Sequence, residues 1–155
     1  MTFKSTVQRR LANRVKDALR DTSLQLALLN HQVGARLKLR DVDFDCLNLL
    51  NQHGPLGPGA LAKLAGLHPA TMTGVLDRLE KAGWATRDRD PGDRRAVVVR
   101  AAPGRGREIF QLYAGMNGSM DEICADYTVE QLEIIEEFLR RTSAAGRDST
   151  AQLTD

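Results

Sequence analysis

Gly57 to Ala101, GPGALAKLAGLHPATMTGVLDRLEKAGWATRDRDPGDRRAVVVRA, decides how the rest of this chain is read. Its punctuation is regular. Gly57 can cap a helix whose first residue is Pro58, where a missing N–H costs nothing, and Gly66 closes that helix after Ala65. His68-Pro69 opens a second helix in the same way. From Pro69 to Ala82 the apolar residues Met72, Val75, Leu76, Leu79 and Ala82 form one stripe. Ala70, Gly74, Asp77, Arg78 and Lys81 fall on the opposite face, with Thr71 and Thr73 on its flanks. Gly83 ends this helix. Trp84–Arg89 reads as a strand, Asp90-Pro91-Gly92-Asp93 as a turn, and Arg94–Ala101 as a returning strand rich in valine.

Helix, tight turn, helix and cationic hairpin make the layout of a winged helix-turn-helix. A helix with a small, polar outer face can approach another surface closely. The hairpin beside it carries Arg87, Arg89, Arg94 and Arg95. Such a pair suits reading a major groove and gripping an adjacent minor groove of double-stranded DNA.

On these residues the chain resembles the MarR-type regulators. The resemblance lies in Leu61-Ala62, in Ala70-Thr71-Met72-Thr73, and in Val75-Leu76-Asp77-Arg78-Leu79-Glu80-Lys81-Ala82-Gly83. It continues through Asp90-Pro91-Gly92-Asp93-Arg94-Arg95-Ala96-Val97, which holds the Asp-x-Arg mark of that family's wing at Asp93 and Arg95. It spans roughly residues 41 to 106 and extends more weakly into the flanking helices. What it implies is a homodimeric repressor or activator, often relieved by a small ligand or an oxidant, and expected here to be a repressor on a pseudopalindromic operator. It further implies that Arg95 enters the minor groove while Asp93 holds its guanidinium. Gly74 departs from the longer polar residue of many relatives, which moves base reading toward His68, Ala70, Thr71 and Thr73. Ala102 stands where relatives often place a capping threonine.

The fold class expected is mainly α with a small β-wing. N- and C-terminal dimerisation helices flank the winged helix-turn-helix. The division is residues 1–40 for N-terminal helices, 41–102 for the DNA-binding domain, 103–143 for C-terminal helices, and 144–155 for a disordered tail rich in small and polar residues. A chain of 155 residues can bury a real core, and its 42% hydrophobic content is ordinary. No apolar run approaches the ~18 residues of a membrane helix. The start, Met1-Thr2-Phe3-Lys4-Ser5-Thr6, has no apolar signal core, so a cytoplasmic protein is expected. The net charge of +2 conceals a polarity: residues 1–20 carry +5, residues 57–100 carry +3 and residues 121–139 carry −7. A positive reading head and a negative tail point to nucleic acid more strongly than the total does.

Along the chain, Val7, Leu11, Val15, Ala18 and Leu19 mark an amphipathic helix with a basic outer side. A second helical stretch runs from Leu24 to about Lys38. Asp21-Thr22-Ser23 could cap the second stretch, so one bent helix or two remain open. Asp41–Asn51 reads as a helix with Val42, Phe44, Cys46, Leu47, Leu49 and Leu50 on its apolar side, broken by His53-Gly54-Pro55. Leu56 is expected to bridge to the wing as a one-residue strand. A long helix starts at Ala102-Pro103-Gly104 and carries Ile109, Leu112, Tyr113, Met116, Met120 and Ile123. Its Gly115 and Gly118 cost about 1 kcal/mol each relative to alanine. Thr128 with Gln131 is a capping box for the last helix, and Tyr127 with Leu132 can staple it.

The DNA-contacting set is therefore His68, Ala70, Thr71, Thr73, Gly74, Asp77, Arg78, Lys81, Arg87, Arg89, Asp93, Arg94 and Arg95. The plain alternatives are a solvated helix face and a surface ion pair worth about 0–1 kcal/mol. The functional rival is a winged helix that has lost DNA and keeps only protein partners; the wing arginines weigh against it. A small-molecule effector would be lined by Leu26, Leu29, Asn30 and Val33 with Tyr113 and Met116. Catalysis has little support. His31, His53 and His68 are scattered, no metal-ligand spacing exists, and no cofactor is expected. Cys46 lies in an apolar helical pattern and its neighbours Asp43 and Asp45 are acidic, which favours a buried structural thiol over an oxidant sensor.

Overall fold

The computed structural model describes residues 5–93 and 95–154. Seven helices and one two-stranded sheet follow in chain order among these residues: α1 (Thr6–Arg36), α2 (Asp41–His53), α3 (Pro58–Ala65), α4 (Pro69–Lys81), β1 (Ala85–Arg89), β2 (Val97–Ala101), α5 (Gly106–Leu112), α6 (Ala114–Ala125) and α7 (Val129–Thr154). The chain divides into two compact units that meet in sequence between Asp41 and Val42.

In the first unit α1 runs unbroken from Thr6 to Arg36, which settles the open choice for its two stretches. Ser5 caps it by accepting the Gln8 N–H at 3.1 Å. Thr22 does not cap a second helix. Its hydroxyl donates to the Ala18 carbonyl at 2.9 Å, one turn back, so the backbone runs through. Val7, Leu11, Val15, Leu24 and Leu28 are exposed on it.

The second unit has its core between α2, α3, α4 and the hairpin. Phe44, Cys46, Leu47 and Leu50 of α2 are buried, together with Leu61, Met72, Val75, Leu76, Leu79, Trp84 and Val99. Burying a large apolar side chain contributes about 1.5–3 kcal/mol each, enough to hold four short elements together. The α3 and α4 boundaries follow the glycine and proline punctuation. Gly66 and Gly83 take left-handed φ of 64° and 73°, a conformation costly for residues with a Cβ. The next residues then fold back: Leu67 N–H donates to Ala62 O at 2.9 Å and Trp84 N–H to Leu79 O at 2.8 Å.

The sheet is antiparallel, with Ala85 opposite Ala101, Arg87 opposite Val99 and Arg89 opposite Val97. Leu56 bridges to Val99 as expected, exchanging hydrogen bonds of 3.0 and 2.8 Å. The second strand starts at Val97 rather than Arg94. Asp93 accepts from the Arg95 N–H through its carboxylate and from the Ala96 N–H through its carbonyl, each at 2.9 Å, which makes a second turn before the chain can extend.

Two expectations for the C-terminal half need correction. The long helix after the wing is broken at Tyr113, with φ −94° and ψ 0°, into α5 and α6. Residues 144–154, expected to be disordered, continue α7. Their helix formers run without a proline. Ser149 and Thr150 return their hydroxyls to the carbonyls of Ala145 and Gly146 at 2.9 and 3.0 Å. The capping box formed as read: Thr128 N–H donates to Gln131 Oε1 at 2.9 Å, and Gln131 N–H to Thr128 Oγ1 at 3.3 Å. None of the residues of α5, α6 or α7 whose side chains are described is buried.

Candidate nucleic-acid interface

The outer face of α4 is built from small groups. Ala70, Thr71, Thr73, Asp77 and Lys81 are exposed, and Gly74 and Arg78 are half-buried. His68 is the N-cap: its Nδ1 accepts the Ala70 N–H at 3.2 Å, which leaves Nε2 as the ring's outward nitrogen. Thr73 donates its hydroxyl to Pro69 O at 3.3 Å and keeps its acceptor lone pairs. These groups stand on the first two turns of α4, the part of a recognition helix that reaches base edges.

Three members of the expected contact set are engaged inside the molecule. Arg78 makes a two-pronged pair with Asp43 of α2, Nε to Oδ2 at 2.8 Å and Nη2 to Oδ1 at 2.6 Å. The Asp43 side chain is 3% exposed and Arg78 38%. Hydrogen bonding to Asp43 is the main reason that the Arg78 pKa is raised. Losing Arg78 would leave the Asp43 carboxylate buried without its partner, so this contact anchors α4 to α2 before it does anything else. Gly74 belongs to the same arrangement. A Cβ at that position would lie 3.3 Å from Arg78 Nη1, and the guanidinium is held by two bonds rather than free to swing.

Arg87 and Asp77 are the other two. The hairpin alternation puts Arg87 on the side where Ala85 and Val99 are buried, so it points back toward α4 while remaining exposed at its edge. There it donates to Glu80 Oε2 at 2.9 Å and to Asp77 Oδ1 at 2.6 Å. Its pKa is raised by the Glu80 bond first and the Asp77 bond second. Arg89, Arg95 and Lys81 make no ion pair among the described residues, and all three are exposed. Arg94 lies outside the described residues. Asp93 does not hold the Arg95 guanidinium; its carboxylate accepts the Arg95 main-chain N–H instead and shapes the loop. Asp90 does the same for Gly92 at 2.8 Å.

Sequence reasoning passed over Asp43, Glu80 and Arg105. Asp43 carried a usable signal, since it shares a helical stripe with Cys46, Leu47 and Leu50 and is buried with them. Arg105 stacks 3.4 Å over the Trp84 ring and donates to Ala82 O at 2.9 Å, tying the chain after the wing to the end of α4. Cys46 is fully buried. Burial, then the Asp45 and Asp43 carboxylates, push its pKa up to about 12, so it stays a thiol at neutral pH. Of the expected effector contacts, Val33 is buried, Leu26 is exposed, and Leu29 and Asn30 are half-buried on α1. Tyr113 and Met116, also half-buried, belong to the second unit. Burial raises the Tyr113 pKa, and the Asp45 charge adds to it. Among the described residues no three His, Cys, Asp or Glu side chains gather to hold a metal ion, and no helix is long and apolar enough to cross a membrane.

The family model described as the MarR family matches residues 39–97, from the end of the first unit to the start of β2. An HTH-type transcriptional regulator of Bacillus subtilis, YcgE, is 35% identical over 136 residues, which cover 83% of this chain and 88% of that protein. The chain belongs to the MarR family. A second relative, the HTH-type transcriptional repressor NicR of Pseudomonas putida, is 36% identical over 62 residues, 40% of this chain and 39% of its own length. In three dimensions the chain is similar to the transcriptional regulator Tm0710 of Thermotoga maritima. The TM-score is 0.62 at 25% identity, over 88% of this chain and 96% of that one. The MarR-family match falls on α2, α3, α4 and β1, which hold most of the buried core.

Proposed function

We propose that this MarR-family chain is a homodimeric transcriptional repressor that binds a pseudopalindromic operator and is released by a small molecule. The observation that carries the DNA-binding part is the division of labour on one surface. His68, Ala70, Thr71 and Thr73 present a small polar face on α4, while Arg89 and Arg95 extend from the adjacent hairpin without ion-pair partners among the described residues. Small groups allow close approach to base edges, and unpaired cations are what phosphates and a narrow minor groove attract.

Dimerisation is supported by apolar surface that the chain leaves uncovered. Phe110, Ile123, Val129, Ile134, Phe138 and Leu139 are all exposed on α5, α6 and α7. A groove along α7 is lined by Ile134, Phe138 and Ala145. A second copy would cover these faces, with an interface above ~2,000 Å² in total as obligate homodimers have. Two-fold symmetry then matches two half-sites about one helical turn apart or a multiple of it. Repression is supported by the likeness to NicR, itself a repressor by name. Effector release, with Leu26, Leu29, Asn30, Val33, Tyr113 and Met116 as candidate contacts, is supported by the family resemblance alone.

A gel shift on the DNA upstream of the protein's own gene, with non-specific competitor present, tests the reading. A discrete complex that survives competitor is the expected result. Loss of all binding to competitor would favour a winged helix that serves protein partners.

A further inference from the structure

The outer face of α4 has an electrostatic problem. Asp77 lies four residues after Thr73 and seven after Ala70, on the stripe that would face a duplex, and Glu80 follows one turn later. Two carboxylates there would stand against DNA phosphates. Arg87 meets both of them from β1. Its Nη2 donates to Asp77 Oδ1 at 2.6 Å and to Glu80, and its Nε donates to Glu80 Oε2 at 2.9 Å. The register explains how it gets there, since Arg87 sits opposite buried Val99 on the helix-facing side of the hairpin. Arg89, two residues on along the same strand, is exposed and makes no ion pair among the described residues.

We propose that Arg87 is a positioning residue for DNA binding: it neutralises Asp77 and Glu80 and ties the wing to the recognition helix, and it does not contact phosphate. The three side chains carry a formal charge of −1 together and −2 without the arginine. The donors of Arg87 that face α4 are spent on these acids, and its fork is what allows one side chain to serve two carboxylates. A lysine would supply the charge as a point and lose the geometry. This inference rests on the DNA-binding reading above and gives one of its arginines a different task.

The test compares the full-length wild type, Arg87→Gln, and Arg87→Gln combined with Asp77→Asn and Glu80→Gln, each titrated with operator and with scrambled duplex. Arg87→Gln is expected to weaken binding to both duplexes by about tenfold, because it leaves two uncompensated acids at a phosphate surface. The triple variant is expected to return to within about threefold of the wild type, since amides in place of carboxylates no longer repel phosphate. A triple variant as weak as the single one would mean that neutralising the two acids is not what Arg87 contributes, and the inference would fall. So would a single variant with unchanged affinity. Should Arg87→Gln not fold, wild-type protein still decides: the Arg87 Nε–H resonance is expected to keep its position when operator is added, and a large displacement would assign it to phosphate. Absence of operator binding by the wild type is a separate outcome, which would sink the DNA-binding reading and this inference with it.

Discussion

The stretch from α2 to β2 and the stretch from α5 to α7 have similar apolar content and opposite fates. In the first, Phe44, Leu47, Leu50, Leu61, Met72, Val75, Leu76 and Leu79 are at most 2% exposed. In the second, Phe110, Ile134 and Val129 are more than 60% exposed. Both stretches show helical stripes. What separates them is where the partner surface lies. The α2–β2 elements are short and joined by tight turns, so each stripe finds another within the same chain. The α7 helix has 26 residues, with no buried residue recorded along it. It touches α3 yet leaves Ile134, Phe138 and Leu139 exposed, and packing of such a face supplies most of a helix's stability, so the proposed second copy has a stripe to cover. One half of the unit covers its own apolar stripes; the other leaves them exposed.

Removing α7 is expected to have the largest effect. A chain ending at Tyr127 is expected to be monomeric or insoluble and to lose operator binding, as read by light scattering and gel shift. A soluble truncated dimer would place the partner surface elsewhere. Paired core substitutions sharpen the contrast further. Phe44→Ala should cost about 3–5 kcal/mol whatever the protein concentration, because it opens a cavity in a closed core. Phe138→Ala should cost stability that depends on concentration, because the proposed second copy would supply the neighbours that its exposed ring lacks. Thermal melts over a hundredfold dilution series separate the two, and parallel curves for both variants would erase the distinction.

Smaller effects divide the DNA surface itself. Arg95→Ala is expected to weaken binding to all sequences and to lower the salt slope by about 1 per half-site. Thr73→Ala should cost about 1–3 kcal/mol on the operator and little on scrambled DNA. Affinities across a salt series for both duplexes check both, and an unchanged slope for Arg95→Ala would reduce the hairpin to a structural element. The smallest expected effect is none. Mild peroxide should leave operator binding unchanged, because the Cys46 thiol is buried and its pKa is about 12. A thiol-reversible loss of binding would overturn that.

Local chemistry was the legible part of the sequence. Gly57-Pro58, Gly66 and His68-Pro69 mark α3 and the start of α4 to the residue, and Gly83 marks the end of α4 to within one, since proline and glycine constrain backbone angles whatever surrounds them. The capping box at Thr128 and the Leu56 bridge were legible for similar reasons. What could not be read were choices made by side chains far apart in sequence. Arg78 reaches Asp43 across 35 residues. Arg87 turns inward because Ala85 and Val99 bury its side of the hairpin, and alternation alone cannot say which side is buried. The helix over residues 144–154 was missed because small polar residues are weak evidence either way. Two hydroxyls bonded back along the helix are visible only once the chain is folded.

Trp84 is the single tryptophan of the chain, 3% exposed, with the Arg105 guanidinium stacked on its face. Its emission is therefore an optical reporter already in place where the end of α4, the root of the wing and the chain leading to α5 meet. An indole sealed from water emits toward the blue, and departure of the cation would change its intensity before any helix unfolds. Without a label, a fluorimeter can follow whether DNA or a small molecule disturbs that junction. Arg105→Gln is the control that shows which part of the signal belongs to the stack.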